Sequence, residues 1–270
     1  MSMFNPKIPI LMYHEVSKNL PPLRQFHTIT PLYNIPVKMF EDQLRLLSER
    51  GYHSFLFEDL AILKENQKYV MLTFDDGLKG NYHHALPLLE KYGFKAIFFV
   101  NVGSINSEHF MDWKELLDLV KHGMSVQSHA LSHRPLQTLG DEEVYKELTE
   151  SKRIIEEKLN TEVTALSFPH GSYNQKIARF ARQVGYKYLF GSDIERIYAS
   201  SLQKNQNVLG RIALTNKLDT KRFLCVMEYK RTEIIRQKLE KLSKNTLKKI
   251  IGIENYRYLY RKYFNIRKTT

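Results

Sequence analysis

Short apolar runs alternate with amphipathic stretches along most of this chain. Residues 7–12, 69–74, 96–100, 124–127 and 163–168 have the length and apolar content of buried strands. Between them, Phe40, Leu44 and Leu47 recur at helical spacing, and residues 85–91, 113–122 and 177–184 read as further helices. Gly51, Gly93, Gly123 and Gly185 stand where these helices need a stop. Residues 141–159 form a longer, charged amphipathic stretch. Strands separated by helices cannot pair as tight hairpins. The alternation therefore predicts a parallel sheet covered by helices, either a barrel or a doubly wound sheet.

A chain of 270 residues with 43% hydrophobic and 12% aromatic content can bury one large core. Its formal charge of +12 is unevenly spread. Residues 229–270 hold 13 Lys/Arg against 3 Asp/Glu, leaving 28 against 26 in residues 1–228. The sequence thus divides at 228 into a nearly neutral domain and a basic tail, which argues against a nucleic-acid groove across the whole molecule. The opening apolar run ends in Tyr13-His14-Glu15 and reads as a first strand rather than a secretion signal. The one cysteine, Cys225, has no partner for an internal disulfide. Both features predict a cytoplasmic protein.

The residues best suited to chemistry stand at two strand ends. Thr73-Phe74-Asp75-Asp76-Gly77 closes the apolar run 69–74, where two adjacent carboxylates can face different partners, one holding a cation and one acting as a base. Alone, an Asp-Asp-Gly sequence suits a solvated turn equally well. Ser128-His129-Ala130-Leu131-Ser132-His133 follows the run 124–127, and one helical turn would bring both imidazoles to one face. Isolated pairs of this spacing are more often surface features. Two imidazoles and a carboxylate together, however, make a three-ligand set with room for water, as in catalytic zinc sites.

The TFDDG motif at 73–77 and the HxxxH motif at 129–133 resemble those of the polysaccharide deacetylases, the NodB-homology or carbohydrate esterase family 4 group. Ile10-Leu11-Met12-Tyr13-His14 is similar to that family's first strand, and Phe98-Phe99-Val100 to the strand after the TFDDG helix. Phe168-Pro169-His170-Gly171-Ser172-Tyr173-Asn174 is similar to its third motif. The resemblance covers roughly residues 8–215. It implies an α/β fold, a distorted (β/α) barrel of the NodB-homology type, to which the tail pattern adds a basic helical extension. It also implies a metal-dependent hydrolase that removes an N-acyl group, usually acetyl, from an amino sugar in a polysaccharide or lipid-linked glycan precursor. Carried over by position, Asp75 is the general base, while Asp76, His129 and His133 hold a divalent metal ion, with Zn2+ the best match. The backbone N–H of His170 faces the developing oxyanion.

The chain departs from the family pattern in three places. Ala130 replaces the usual Ser or Thr. Ser167 stands where the third motif carries an Arg that orients the base, and Arg211, in Leu209-Gly210-Arg211-Ile212, is the candidate to supply that guanidinium from another strand. No histidine follows His170, so the family's late Leu-x-His acid is absent. His14 and His170 are the candidates to protonate the leaving amine. A structural hydrogen bond is an equal reading for His14, and substrate contact is another for His170. Loss of the acid raises a rival, a glycan-binding homologue with little or no activity. A second rival is a deformylase or amidase acting on a lipid- or nucleotide-linked sugar. His27, His53, His83, His84, His109 and His122 read as surface or packing residues, and Trp113 as support beneath the site.

In the tail, Ile234, Ile235, Leu239, Leu242, Ile250 and Ile251 recur at helical spacing among lysines and arginines. Tyr256, Tyr258, Tyr260, Tyr263 and Phe264 then alternate with Arg257, Arg261 and Lys262. This pattern predicts a basic amphipathic helix that either packs on the barrel or makes peripheral contact with the anionic inner face of a membrane.

Overall fold

A computed structural model describes residues 5–18, 31–204 and 207–251. In chain order, β1 (Ile10–Tyr13), β2 (Glu15–Ser17) and β3 (Asn34–Pro36) precede α1 (Val37–Glu49), β4 (Tyr52–Ser54) and the long strand β5 (Lys68–Phe74). A π-helical turn at Asn81–Ala85 leads into α2 (Leu86–Lys91), β6 (Ile97–Val100), α3 (Trp113–Lys121) and β7 (Ser125–Ser128). Then come α4 (Asp141–Leu159), β8 (Ala165–Ser167), α5 (Gln175–Val184), β9 (Tyr188–Phe190) and α6 (Ala199–Lys204). The two-residue strands β10 (Val208–Leu209) and β11 (Ile212–Ala213), α7 (Thr220–Met227) and α8 (Arg231–Ile251) complete the described chain.

The main sheet runs β10-β9-β8-β7-β6-β5-β1-β11, with every pairing parallel, and β4 pairs with the start of β5. Its two edge strands are neighbours in sequence, joined by Gly210 and Arg211 alone. Leu209 and Ile212 therefore lie no more than about 11 Å apart, whereas an eight-strand ladder laid flat would separate its edges by about 33 Å. The sheet must curl almost onto itself. The result is a distorted parallel α/β barrel with a seam between β10 and β11.

Strand alternation divides the interior in two. Val70, Leu72 and Phe74 of β5, Phe98 of β6 and Leu166 of β8 face the helices, joining Phe40, Leu44, Leu116, Leu148 and Ile155. Ile10, Met71, Ile97, Phe99, Ala165 and Phe190 have the opposite phase and fill the barrel, where Phe57 and Leu202 also pack. Gly185 ends α5 with φ 102°, a left-handed stop that only glycine adopts freely. The strands expected from apolar runs are all present, with ends shifted by up to three residues. β2–β4 and β9–β11 were not foreseen.

The packed region continues past residue 228. Tyr229 is buried, and its hydroxyl donates to the Ile8 carbonyl at 3.3 Å. Glu233, in the first turn of α8, is buried against Arg222 of α7 at 2.7 Å. Ile234 packs on the outer core, but Ile235, Leu239 and Leu242 are 46%, 59% and 62% exposed. Residues 252–270, with their alternating tyrosines and arginines, lie outside the described residues, as does His27. No helix among the described residues is long and apolar enough to cross a membrane.

Candidate active site

The inward phase of the strands delivers polar side chains where the apolar filling stops. On β5 the series Met71, Thr73 continues to Asp75. On β7, Gln127 is followed two residues on by His129, and on β8, Ala165 by Ser167. Asp75, His129 and Ser167 lie at or just beyond the carboxyl ends of parallel strands, where such folds gather their chemistry. β1 contributes His14 immediately after Tyr13.

Arg211 reaches in from the seam and is 1% exposed. Its Nη1 and Nη2 each lie 2.7 Å from one oxygen of Asp75, a bidentate pair. Its remaining bonds go to the Thr73 hydroxyl at 3.2 Å, the Ser167 hydroxyl at 2.8 Å and the Gly191 carbonyl at 3.0 Å. The guanidinium also lies over the rings of Phe99 and Phe190. Small Ser167 leaves room for this arrangement and itself donates to Asp75 at 3.2 Å. Burial works against charge on Asp75, but Arg211, His129 and His14 outweigh it and hold the carboxyl below its ordinary range.

Asp76 turns away from its neighbour because its φ is 76°, a left-handed conformation that Asp tolerates better than most residues. One of its oxygens lies 3.4 Å from His129 Nε2 and 3.1 Å from His133 Nε2. His129 Nδ1 lies 2.8 Å from the Ser167 carbonyl, which can only accept, so Nδ1 carries the hydrogen. A neutral His129 then turns a bare Nε2 lone pair toward a carboxylate oxygen. Two acceptors face each other unless a proton or a cation lies between them. The electrostatics agree. Burial alone would lower the His129 pKa, yet Asp75 and Asp76 raise it, and the two histidines hold Asp76 well below the carboxylate range despite its burial. The candidate ligand atoms of Asp76, His129 and His133 lie within 4.8 Å of one another. This donor set fits a divalent metal, with His129 oriented through its second nitrogen as metal-binding imidazoles commonly are.

The expected helical turn across the HxxxH motif is not formed. Residues 129–135 are irregular, and Ala130 and His133 have φ of 62° and 59°. The loop is held by bonds from outside it. Gly103 N–H donates to the Leu131 carbonyl at 2.7 Å, and Glu147 of α4 accepts from Leu131 and Ser132 N–H at 2.9 and 2.8 Å. The ring centroids of His129 and His133 end 5.0 Å apart.

The two candidate acids sit on different sides of this cluster. The ring of His14 lies 4.7 Å from that of Tyr33, tilted by 30°, and its buried Nδ1 has no hydrogen-bond partner among the described residues. Burial lowers its pKa, while Asp76 and Asp75 pull the other way. The ring of His170 is 4.6 Å from that of His133. Its pKa is pushed down to about 4 by burial and then by His133 and His129. His170 has φ 58°, a left-handed kink in the Pro169–Gly171 turn. Trp113 is half-buried against the outer core at the start of α3. His83 pairs with Glu115, and His122 with Glu90, away from the cluster.

Sequence reasoning missed Glu147 and Tyr33. Glu147 shares the buried stripe of α4 with Val144, Leu148, Ser151 and Ile155, so a lone acid on an apolar face was its signal. Tyr33 gave none.

The family model described as Polysaccharide deacetylase matches residues 63–189. The Bacillus subtilis protein YxkH is 32% identical over 186 residues, 67% of this chain and 63% of its own. Peptidoglycan-N-acetylmuramic acid deacetylase PdaC of the same organism is 33% identical over 113 residues, 42% of this chain and 23% of its own. The chain thus spans less than two thirds of either relative. The Streptococcus pyogenes deacetylase PplD, solved in complex with acetate, superposes with a TM-score of 0.72 at 27% identity, over 83% of this chain and 99% of that one. A polysaccharide deacetylase from Bacillus cereus shares the fold, with a TM-score of 0.73 at 22% identity over 83% and 70%.

Proposed function

Because the chain belongs to the polysaccharide deacetylase family, we propose that it is a metal-dependent hydrolase that removes an N-acetyl group from an amino sugar of a glycan or lipid-linked glycan precursor. The observation that carries this reading is the Asp76–His129–His133 cluster set beside the bidentate Asp75–Arg211 pair. The acetate named with PplD and the N-acetylated sugar named for PdaC support acetyl as the acyl group.

Asp76, His129 and His133 would hold the divalent ion, and a two-histidine, one-carboxylate set matches zinc best. When bound, that ion supplies Lewis acidity toward water and the acyl oxygen. The rest falls to the chain itself. Arg211 keeps Asp75 ionised and fixes both its oxygens, so the carboxylate stands ready to take a proton from the attacking water. The backbone N–H of His170 serves the developing oxyanion. We assign proton delivery to the leaving amine to His14. Burial lowers the pKa of both candidates, but at His14 Asp76 and Asp75 oppose it, whereas at His170 the next largest influences, His133 and His129, add to it. His170 then becomes a ring that contacts the sugar.

Mass spectrometry of acyl loss tests the assignment. Zinc-loaded protein is expected to deacetylate at least one member of a panel of N-acetylated and N-formylated oligosaccharides, nucleotide sugars and lipid-linked sugars. Asp75→Asn should lower that rate by about 10²–10⁴-fold, the usual contribution of a general base. Glycan binding without acyl loss would instead identify a binding homologue, and loss of formyl alone a deformylase.

We infer in addition that α8 lies on an anionic membrane surface, which would bring a lipid-linked sugar to the site. Ile235, Leu239 and Leu242 fall on one exposed stripe, with Arg231 and Lys238 on one flank and Arg236 on the other. The two acids of this helix are both paired, Glu233 with Arg222 and Glu240 with Arg222 and Arg236. Flotation with phosphatidylglycerol-containing vesicles should be lost in Leu239→Glu/Leu242→Glu and weakened by salt. Equal flotation of the variant would end this idea.

A further inference from the structure

The loop that carries both imidazoles is not shaped by its own sequence. Ala130 and His133 adopt left-handed φ without being glycine, and no helical hydrogen bonds span residues 129–133. Leu131 and Ser132, the two residues between them, both turn their N–H groups to one buried carboxylate on a helix fifteen residues downstream. Glu147 Oε2 accepts from Leu131 N–H at 2.9 Å and from Ser132 N–H at 2.8 Å, and Oε1 accepts from the Ser132 hydroxyl. Among the described residues, Glu147 makes no ion pair and its side-chain hydrogen bonds all go to this loop. On the other side, the Leu131 carbonyl is fixed by Gly103 N–H at 2.7 Å.

We propose that Glu147 is a positioning residue for the metal ligands, a role that rests on reading Asp76, His129 and His133 as the metal site. It gathers the middle of the loop onto α4, and so keeps both Nε2 atoms directed at Asp76. Without this anchor, Leu131 and Ser132 lose three hydrogen bonds to its two oxygens. Residues 130–133 are then free to take the ordinary right-handed conformations that a left-handed course excludes. The ligands would remain in the chain but lose their preformed arrangement, which weakens binding without removing a ligand.

Cobalt(II) affinity of the full chain, measured by chelator competition and by the visible spectrum of the bound ion, tests this. Glu147→Ala and Glu147→Asp, whose carboxylate is one methylene too short, should each weaken binding by about 10–100-fold. Both should also broaden the cobalt spectrum, with far-UV circular dichroism unchanged. Glu147→Gln keeps an oxygen for the two N–H groups and an amide for the Ser132 hydroxyl, and should bind close to wild type. Retention by Gln also excludes a simple effect of negative charge. If Glu147→Ala does not fold, the Asp and Gln variants decide alone, and equal affinity in wild type, Asp and Gln overturns the role. His129→Ala separates the two levels. If wild type binds no cobalt, or binds it as tightly as His129→Ala, the metal-site reading itself falls.

Discussion

Arg211→Met is expected to lower folding stability by about 3–5 kcal/mol and to abolish acyl hydrolysis. The guanidinium is buried, binds both oxygens of Asp75 at 2.7 Å and satisfies Thr73, Ser167 and Gly191 as well. Removing it leaves a carboxylate buried without its counter-charge, which is far more damaging than losing an exposed pair. Urea denaturation of the metal-free protein reads the stability effect. Arg211→Met/Asp75→Asn removes the orphaned charge along with its partner and should recover much of the lost stability while remaining inactive. Arg211→Lys keeps the charge but not the fork, and should be intermediate in stability and poor in turnover. A single Arg211→Met variant as stable as wild type would show that the pair is not the anchor its geometry describes.

His14→Gln should lower turnover on an N-acetyl sugar by about 10²–10⁴-fold, the range for loss of a general acid. Its diagnostic is the leaving group. An amine must be protonated to depart, whereas an aryl oxide departs without help. An aryl acetate should therefore be hydrolysed by His14→Gln at nearly the wild-type rate. A parallel loss on both substrates would instead mark His14 as a structural residue under Tyr33. His170→Phe is the companion variant. If it shows the leaving-group dependence and His14→Gln does not, the acid is His170. Metal content measured on each variant separates chemistry from ligand loss.

The sequence made the barrel legible where an element was long enough to carry a period. Runs such as 69–74 and 96–100 stand out because several consecutive residues are buried. β9, with three residues, and β10 and β11, with two each, are too short to show any pattern. Their place is set by the curl of the whole sheet. The site divides in the same way. Asp75, Asp76, His129 and His133 are visible because their spacing is local. The bond from Arg211 to Asp75 spans 136 residues, so only the unfilled position at Ser167 pointed toward it. The HxxxH spacing suggested a helical turn because local spacing is all a sequence window contains. The bonds from Gly103 and Glu147 that impose the other conformation come from elsewhere in the chain.

The seam between β10 and β11 ties two selective pressures to one bond. Elsewhere a buried ion pair can often be exchanged for apolar side chains of similar volume with no loss, or even a gain, of stability. Here that exchange is closed. The residue that draws the last turn of the barrel onto β5 is also the residue that governs the charge on Asp75. Greater thermal tolerance in this scaffold must therefore come from its outer helices and loops, because exchanging the clasp for apolar side chains would remove the carboxylate proposed as the base.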